Sequence, residues 1–214
     1  MIDPQIERDK ILRFAESKFI NEGFYKISMD EVAHELQMSK KTIYKYFPSK
    51  EKLVEAIIEN TVCTINKEVD AILGTEEDIV TKYVKFMNMY CHIVANTKEK
   101  WLKDLQLHMP ELWQRIDKFR TDKIYSGLNR LLQQGRKEKF IENYPSEIII
   151  ACFVSTIRAT MDPDFILNNR FSIEQAFIYT FEMLLNSILT RAGKEKYQKV
   201  KKEIFEYDHT FLNT

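Results

Sequence analysis

Glycine and proline are scarce in this 214-residue chain, five of each, so little breaks a helix and long helices are the favoured local structure. Cysteine is scarcer still. Cys63, Cys91 and Cys152 are odd in number, widely spaced and set among apolar neighbours, which excludes a disulfide framework and suits buried, reduced thiols. Cys91 and His92 are adjacent, yet adjacent side chains point about 100° apart on a helix and do not share a metal or nucleophile site. Long apolar runs are missing: the longest strongly apolar stretch, residues 148–154, is far too short to cross a bilayer. No charged segment followed by an apolar one opens the chain, so a cytoplasmic location without membrane contact is expected. Nucleophile elbows, phosphate-binding loops and clustered metal ligands are also lacking, so no catalytic residue, metal or cofactor is assigned. No segment alternates apolar and polar residues as a half-buried strand would, and the expected fold class is all-α.

Net charge is absent too, with 32 basic and 32 acidic residues, but its distribution is uneven. Residues 39–52 hold five lysines and one acid, a local positive field that the rest of the chain offsets. That cluster sits in a run that spells two short helices and a tight turn. Ser28 and Glu31 have the spacing of a capping box, Val32 and Leu36 share a face, and Ala33 is small enough for a second helix to cross closely. Gln37-Met38 is the turn, and Ser39 caps the second helix. Pro48 ends that helix near Phe47 by disfavouring a helical backbone at the residue before it.

In the second helix Ile43 and Phe47 lie four apart and face inward, which turns Lys41 and Lys45 outward with Thr42, Tyr44 and Tyr46 beside them. Hydroxyls, phenols and ammonium groups on one short face can bond phosphates and touch base edges. Ser39 and Lys40 lie at the helix N-terminus, where the dipole favours a phosphate, and Lys50 follows close by. This is the chemistry of a helix-turn-helix that docks on DNA.

Residues 6–58 resemble the N-terminal DNA-binding domain of the TetR family of bacterial transcriptional repressors. The resemblance runs through Ile11, Ala15, Phe19, Gly23-Phe24 and the stretch from Ser28 to Ala33, and is densest over residues 39–51. It implies that Ser28, Lys40, Lys41, Thr42, Tyr44, Tyr46 and Lys50 stand where family members contact DNA, with Tyr44, Tyr46 and Lys50 on phosphates and Lys41 and Thr42 nearest the bases. Gln37 departs from the pattern, since many members carry glycine there to ease a left-handed backbone.

Helical periodicity continues through the rest of the chain. A first helix is expected over residues 4–22, stopping at Gly23. A fourth starts at Ser49 and runs to near Gly74 with Leu53, Ile57 and Val62 on one side, long enough to link a head, residues 1–50, to a body, residues 51–214. Thr75 and Asp78 look like a capping pair for the next helix. Short helical signal lies around residues 101–108, and Pro110 opens a helix running to about Gly135. About nine or ten helices are expected in all. Residues 146–161 and 172–191 are apolar almost all round, so each needs two partners, the chain's own core and a second copy. Phe153, Ile157, Phe177, Phe181, Leu184, Leu185 and Ile188 are the candidates for that dimer interface, the job the last two major helices do in the TetR family. The charged tail, residues 194–208, suits a weakly packed terminal helix whose lysines form a solvated face.

The resemblance also implies an effector pocket in the body. Phe86, Tyr90, Trp101, Trp113, Phe119 and Phe153 would favour a hydrophobic or planar molecule. Arg158, a charge inside an apolar helix, calls for an acid partner or an anionic ligand. The expected function is a homodimeric repressor that reads a palindromic operator on double-stranded DNA and is released by a small molecule. The alternative is a DNA-binding protein without a small-molecule effector, controlled by a protein partner or acting in chromosome organisation.

Overall fold

A computed structural model describes residues 3–205, which form eleven helices: α1 (Pro4–Glu22), α2 (Met29–Glu35), α3 (Lys40–Tyr46), α4 (Lys50–Leu73), α5 (Ile79–Ala95), α6 (Glu99–His108), α7 (Pro110–Lys137), α8 (Ser146–Thr160), α9 (Pro163–Asn169), α10 (Ile173–Ile188) and α11 (Arg191–Phe205). Among the described residues no helix is long and apolar enough to cross a membrane. The chain forms two compact units. One comprises the residues up to Lys67 together with Asn96–Gln114, and the other Glu68–Ala95 together with the described residues from Arg115 onward. The division is therefore not a single cut near residue 50. Residues 96–114 belong with the N-terminal unit, because α6 packs on α1.

In the N-terminal unit apolar positions named from sequence become the core: Ile11, Ala15, Phe19, Val32, Ile43 and Leu53 are essentially inaccessible. Asp3 caps α1 by accepting the Gln5 N–H, and Gly23 ends it at φ +78. Glycine is required there twice over, since a Cβ would also lie 2.6 Å from Asp104 Oδ2. Phe24 follows it into the core, its ring 5.6 Å from that of Trp101 in an edge-on contact. Tyr25 donates its N–H to Asp104 Oδ2 at 2.9 Å. Together these contacts fix α6 against the α1–α2 loop.

In the other unit, α5 is packed by α10 and α11. Asp78, rather than Thr75, opens α5, accepting the Thr81 N–H at 3.0 Å, while Glu138 at the end of α7 accepts the Ile79 N–H at 2.8 Å. These carboxylates satisfy donors that a helix start leaves unpaired. Tyr83 is buried and donates its hydroxyl to the Phe181 carbonyl at 3.0 Å. A strap after α7 pairs Ile141 with Leu189 in an isolated antiparallel bridge. The terminal helix is no loose appendage: Tyr197 and Val200 are buried in the core, and Lys201 pairs with Glu182. Lys196 pairs with Asp78 at 3.0 Å, so part of the lysine cluster is spent on internal ion pairs. Tyr207 lies outside the described residues. Of the cysteines only Cys91 is buried; Cys63 and Cys152, expected inside, are exposed.

Candidate nucleic-acid interface

The α2–α3 pair is built by its caps. Ser28 accepts the Glu31 N–H at 3.1 Å and Ser39 accepts the Thr42 N–H at 3.0 Å. The expected capping box does not close. Glu31 turns instead to Lys18, whose ammonium lies 3.1 Å from Glu31, 2.8 Å from Glu35 and 3.3 Å from Glu22. Those carboxylates, Glu35 foremost, hold the ammonium pKa above its usual value and tie α2 to α1. Gln37 sits at φ 54, in the left-handed region that favours glycine.

On α3, Ile43 is buried and Phe47 with it, so the opposite side faces outward. Lys41, Tyr44 and Lys45 are exposed, and among the described residues neither lysine has a carboxylate partner. Tyr44 is 45% exposed. Lys45 Nζ stands 4.9 Å from the Tyr46 ring centre, which holds the two side chains side by side. Thr42, half-buried, shares a 2.8 Å hydroxyl contact with Ser39.

The remaining candidates already have partners. Lys40 Nζ lies 2.6 Å from Asp30 Oδ2, which raises the ammonium pKa and offsets its charge. The Tyr46 hydroxyl donates to Glu7 Oε2 at 2.7 Å, and that bond raises the phenol pKa. Lys50 Nζ donates to the carbonyls of Phe24, Tyr25 and Ile27 at 3.0, 2.8 and 3.0 Å. Lys41, Thr42, Tyr44 and Lys45 thus form the outward chemical face, framed by residues whose polar groups are committed inside the unit. Glu7 and Asp30 escaped sequence reasoning because each lies far along the chain from its partner, in a helix that carried no signal of its own for it.

The residues expected to line an effector pocket do not gather in one place. Trp101 and Trp113 fall in the N-terminal unit. Phe86 and Tyr90 lie together in the other unit, centroids 6.5 Å apart and planes 14° apart, with Phe177 6.0 Å from Tyr90. Burial raises the Tyr90 phenol pKa. Phe153 belongs to the core, and Phe119 is half-buried with Lys123 Nζ 5.9 Å from its ring centre. Arg158 does find an acid, Asp117, at 2.8 Å and within the chain, with Thr121 accepting a further bond at 3.1 Å. It is exposed rather than buried, because it points from the outer face of α8.

The residues named for the dimer interface are also placed inward. Phe153, Ile157, Phe177, Leu184, Leu185 and Ile188 are buried in the chain's own core, and Phe181 packs against it half-buried. The helices are apolar on their outer sides as well: α8 exposes Ile148 and Cys152, and α10 exposes Tyr179 and Met183, the last at 71%. Beneath α5, a cavity of about 10 Å³ is lined by Tyr83, Leu128, Leu131, Leu132 and Leu185 among other aliphatic residues. That is room for about one water molecule.

Residues 11–57 match the family model described as bacterial regulatory proteins of the tetR family. An uncharacterized HTH-type transcriptional regulator of Bacillus subtilis, YvaF, is 22% identical over 181 residues, 84% of this chain and 95% of its own. The nucleoid occlusion factor SlmA of Aliivibrio fischeri is 36% identical over 76 residues, 35% of this chain and 39% of its own. Among solved structures, a transcriptional regulator from Marinobacter aquaeolei superposes with a TM-score of 0.70 at 20% identity, covering 92% of this chain and 97% of that one. The complex of SmeT with triclosan has a TM-score of 0.61 at 13% identity, covering 87% and 93%.

Proposed function

This chain belongs to the TetR family of DNA-binding transcriptional regulators, which are not enzymes, and on that premise we propose that it is a homodimeric repressor of a palindromic operator. The observation that carries the reading is the outward face of α3, where Lys41 and Lys45 stand beside Thr42 and Tyr44 and, among the described residues, have no carboxylate partner. The lysines supply attraction to the phosphate backbone, and Thr42 and Tyr44 reach for base edges and the adjoining sugar-phosphate chain. Seven residues of helix read too few bases for specificity, so two heads are needed, spaced by one turn of DNA. The second copy covers the outer side of α8 and α10, where Ile148, Cys152, Tyr179 and Met183 would otherwise face water. An effector acts by preferring one spacing of the heads over the other. The Phe86, Tyr90 and Phe177 rings support an aromatic or hydrophobic effector, and the SmeT complex holds such a molecule, triclosan.

Genome-wide footprinting on fragmented DNA from the source organism tests this, with the Lys41→Ala/Tyr44→Ala double variant as control. A few palindromic sites lost in the variant support a local regulator; binding that ignores the substitutions refutes the assigned face.

One observation favours a second reading, control by a protein partner or work in chromosome organisation. A relative that is 36% identical over 76 residues is a nucleoid occlusion factor. Many sites spread along the chromosome, in place of one or two operators, distinguish this reading from the first.

A further inference from the structure

We propose that Lys50 is a clasp across the two ends of the helix-turn-helix, a positioning residue for DNA binding rather than a phosphate contact. The inference rests on the DNA-binding reading of the head. An ammonium group has three N–H donors, and here three carbonyl oxygens, those of Phe24, Tyr25 and Ile27, take them at 2.8–3.0 Å. The loop that supplies them leads directly into Ser28, the cap of α2, while Lys50 itself opens α4 three residues after Phe47, the cap of α3. One cation therefore ties the entrance of the motif to its exit.

The loop is shaped for this. Its irregular backbone turns three carbonyls to one point; the Phe24 oxygen also accepts the Ile27 N–H at 3.3 Å, while for the Tyr25 and Ile27 oxygens the ammonium is the donor at hand. The rings of Phe24 and Tyr25 stand 6.0 Å from the ammonium and add a weaker attraction. From the other side Asp104 holds the loop through the Tyr25 N–H. A phosphate could claim the ammonium only by breaking three charge-assisted bonds and taking the donor from the Tyr25 and Ile27 carbonyls. Among the described residues Lys41 and Lys45 bear no such commitment, so the salt-dependent attraction to DNA falls to them. What Lys50 controls is the placement of Ser28 and α2 relative to α3.

The experiment compares the full-length protein with Lys50→Met and Lys50→Arg, binding a random-sequence duplex of about three helical turns between about 50 and 200 mM salt. Binding is read at a temperature where circular dichroism shows each variant fully folded. In Lys50→Met the affinity is expected to fall about tenfold with the slope of log affinity against log salt unchanged, and Lys50→Arg to recover only part of the loss. A slope shallower by about 0.9 per head, about 1.8 for the dimer, would make Lys50 a phosphate contact, and unchanged affinity in the folded variant would make it a support of stability alone; either overturns the proposal. Should Lys50→Met fail to fold, acetylation of the wild-type amines decides. Lys50 is expected to label slowly with or without the duplex, while the duplex shields Lys41 and Lys45. Rapid labelling of Lys50 that the duplex suppresses refutes the clasp. If the duplex shields none of these lysines, the DNA-binding reading fails, and the labelling rate of Lys50 alone still judges the clasp.

Discussion

The imidazole of His108 lies flat on the phenol ring of Tyr25, with centroids 3.7 Å apart and planes only 6° from parallel. This pair joins the last residue of α6 to the loop before α2, next to the bond from Tyr25 to Asp104. His108→Ala is expected to cost about 0.5–1 kcal/mol, the lower part of the range for aromatic pairs because both rings meet solvent. Hydrogen exchange should quicken across residues 99–108, and unchanged exchange there would show that the stack does not hold α6.

The recognition face predicts a graded salt response. Lys41→Ala and Lys45→Ala should each make the slope of log affinity against log salt shallower by about 0.9 per head, about 1.8 for the dimer, whereas Lys40→Ala should change it less because Asp30 already offsets that charge. Equal slopes for all three would mean that the Asp30 pair opens on the DNA. Titrations at several salt concentrations measure this directly.

Three glycines give opposite expectations. A Cβ at Gly193 would stand 2.3 Å from the Phe140 carbonyl oxygen, and one at Gly135 would stand 2.3 Å from Ile141 Cγ1, while at Gly127 nothing lies within 4 Å. Gly193→Ala should destabilise by about 2–3 kcal/mol, since backbone has to yield, and Gly135→Ala by about 1–3 kcal/mol. Gly127→Ala within α7 should stabilise by up to about 1 kcal/mol. Urea unfolding ranks the three.

The outer side of α8 and α10 separates association from folding. Met183→Asp should yield a folded monomer by sedimentation, and the exposed thiol of Cys152 should then react faster with a maleimide. Leu185→Ala, which hollows the core, should cost about 2–5 kcal/mol of stability. A dimeric Met183→Asp protein would move the interface elsewhere.

Burial pushes the Cys91 thiol pKa up to about 12 from its ordinary 9.0. A folded-state pKa above the unfolded one means stability that is whole below pH 9 and declines as pH rises toward 12. Burial raises Tyr83 and Tyr197 in the same direction, so alkaline unfolding of this unit should be steep. Cys91→Ala should flatten the loss between pH 9 and 12 in thermal melts. An identical pH profile would assign it to the tyrosines.

Much of the head was legible because its information is local. Caps at Ser28 and Ser39, the breaker at Pro48 and the four-residue spacing of Ile43 and Phe47 each act within one helical turn, and all four hold. The length of α4 was legible for the same reason. Partnerships across the chain were not: nothing near Tyr46 announces Glu7, and nothing near Lys50 announces three carbonyls lying 23–26 residues earlier. Helix α9 went unread because seven residues carry too short a period to stand out, though Asp162 and Pro163 form an ordinary start. In α8 and α10, apolar girth left the inner and outer sides indistinguishable, so residues of the core were named for the interface.

The cavity under Tyr83 bears on timing as much as on fit. Any guest larger than water that lodged there would wait for Leu128, Leu131 and Leu185 to part. Its apparent affinity would be the intrinsic one scaled by the fraction of time those side chains stand open. Its arrival would be paced by that opening and not by diffusion, so binding rates would level off as the guest's concentration rises. A substitution that thins this wall would strengthen and hasten the response together, while lowering the stability that keeps the unit closed.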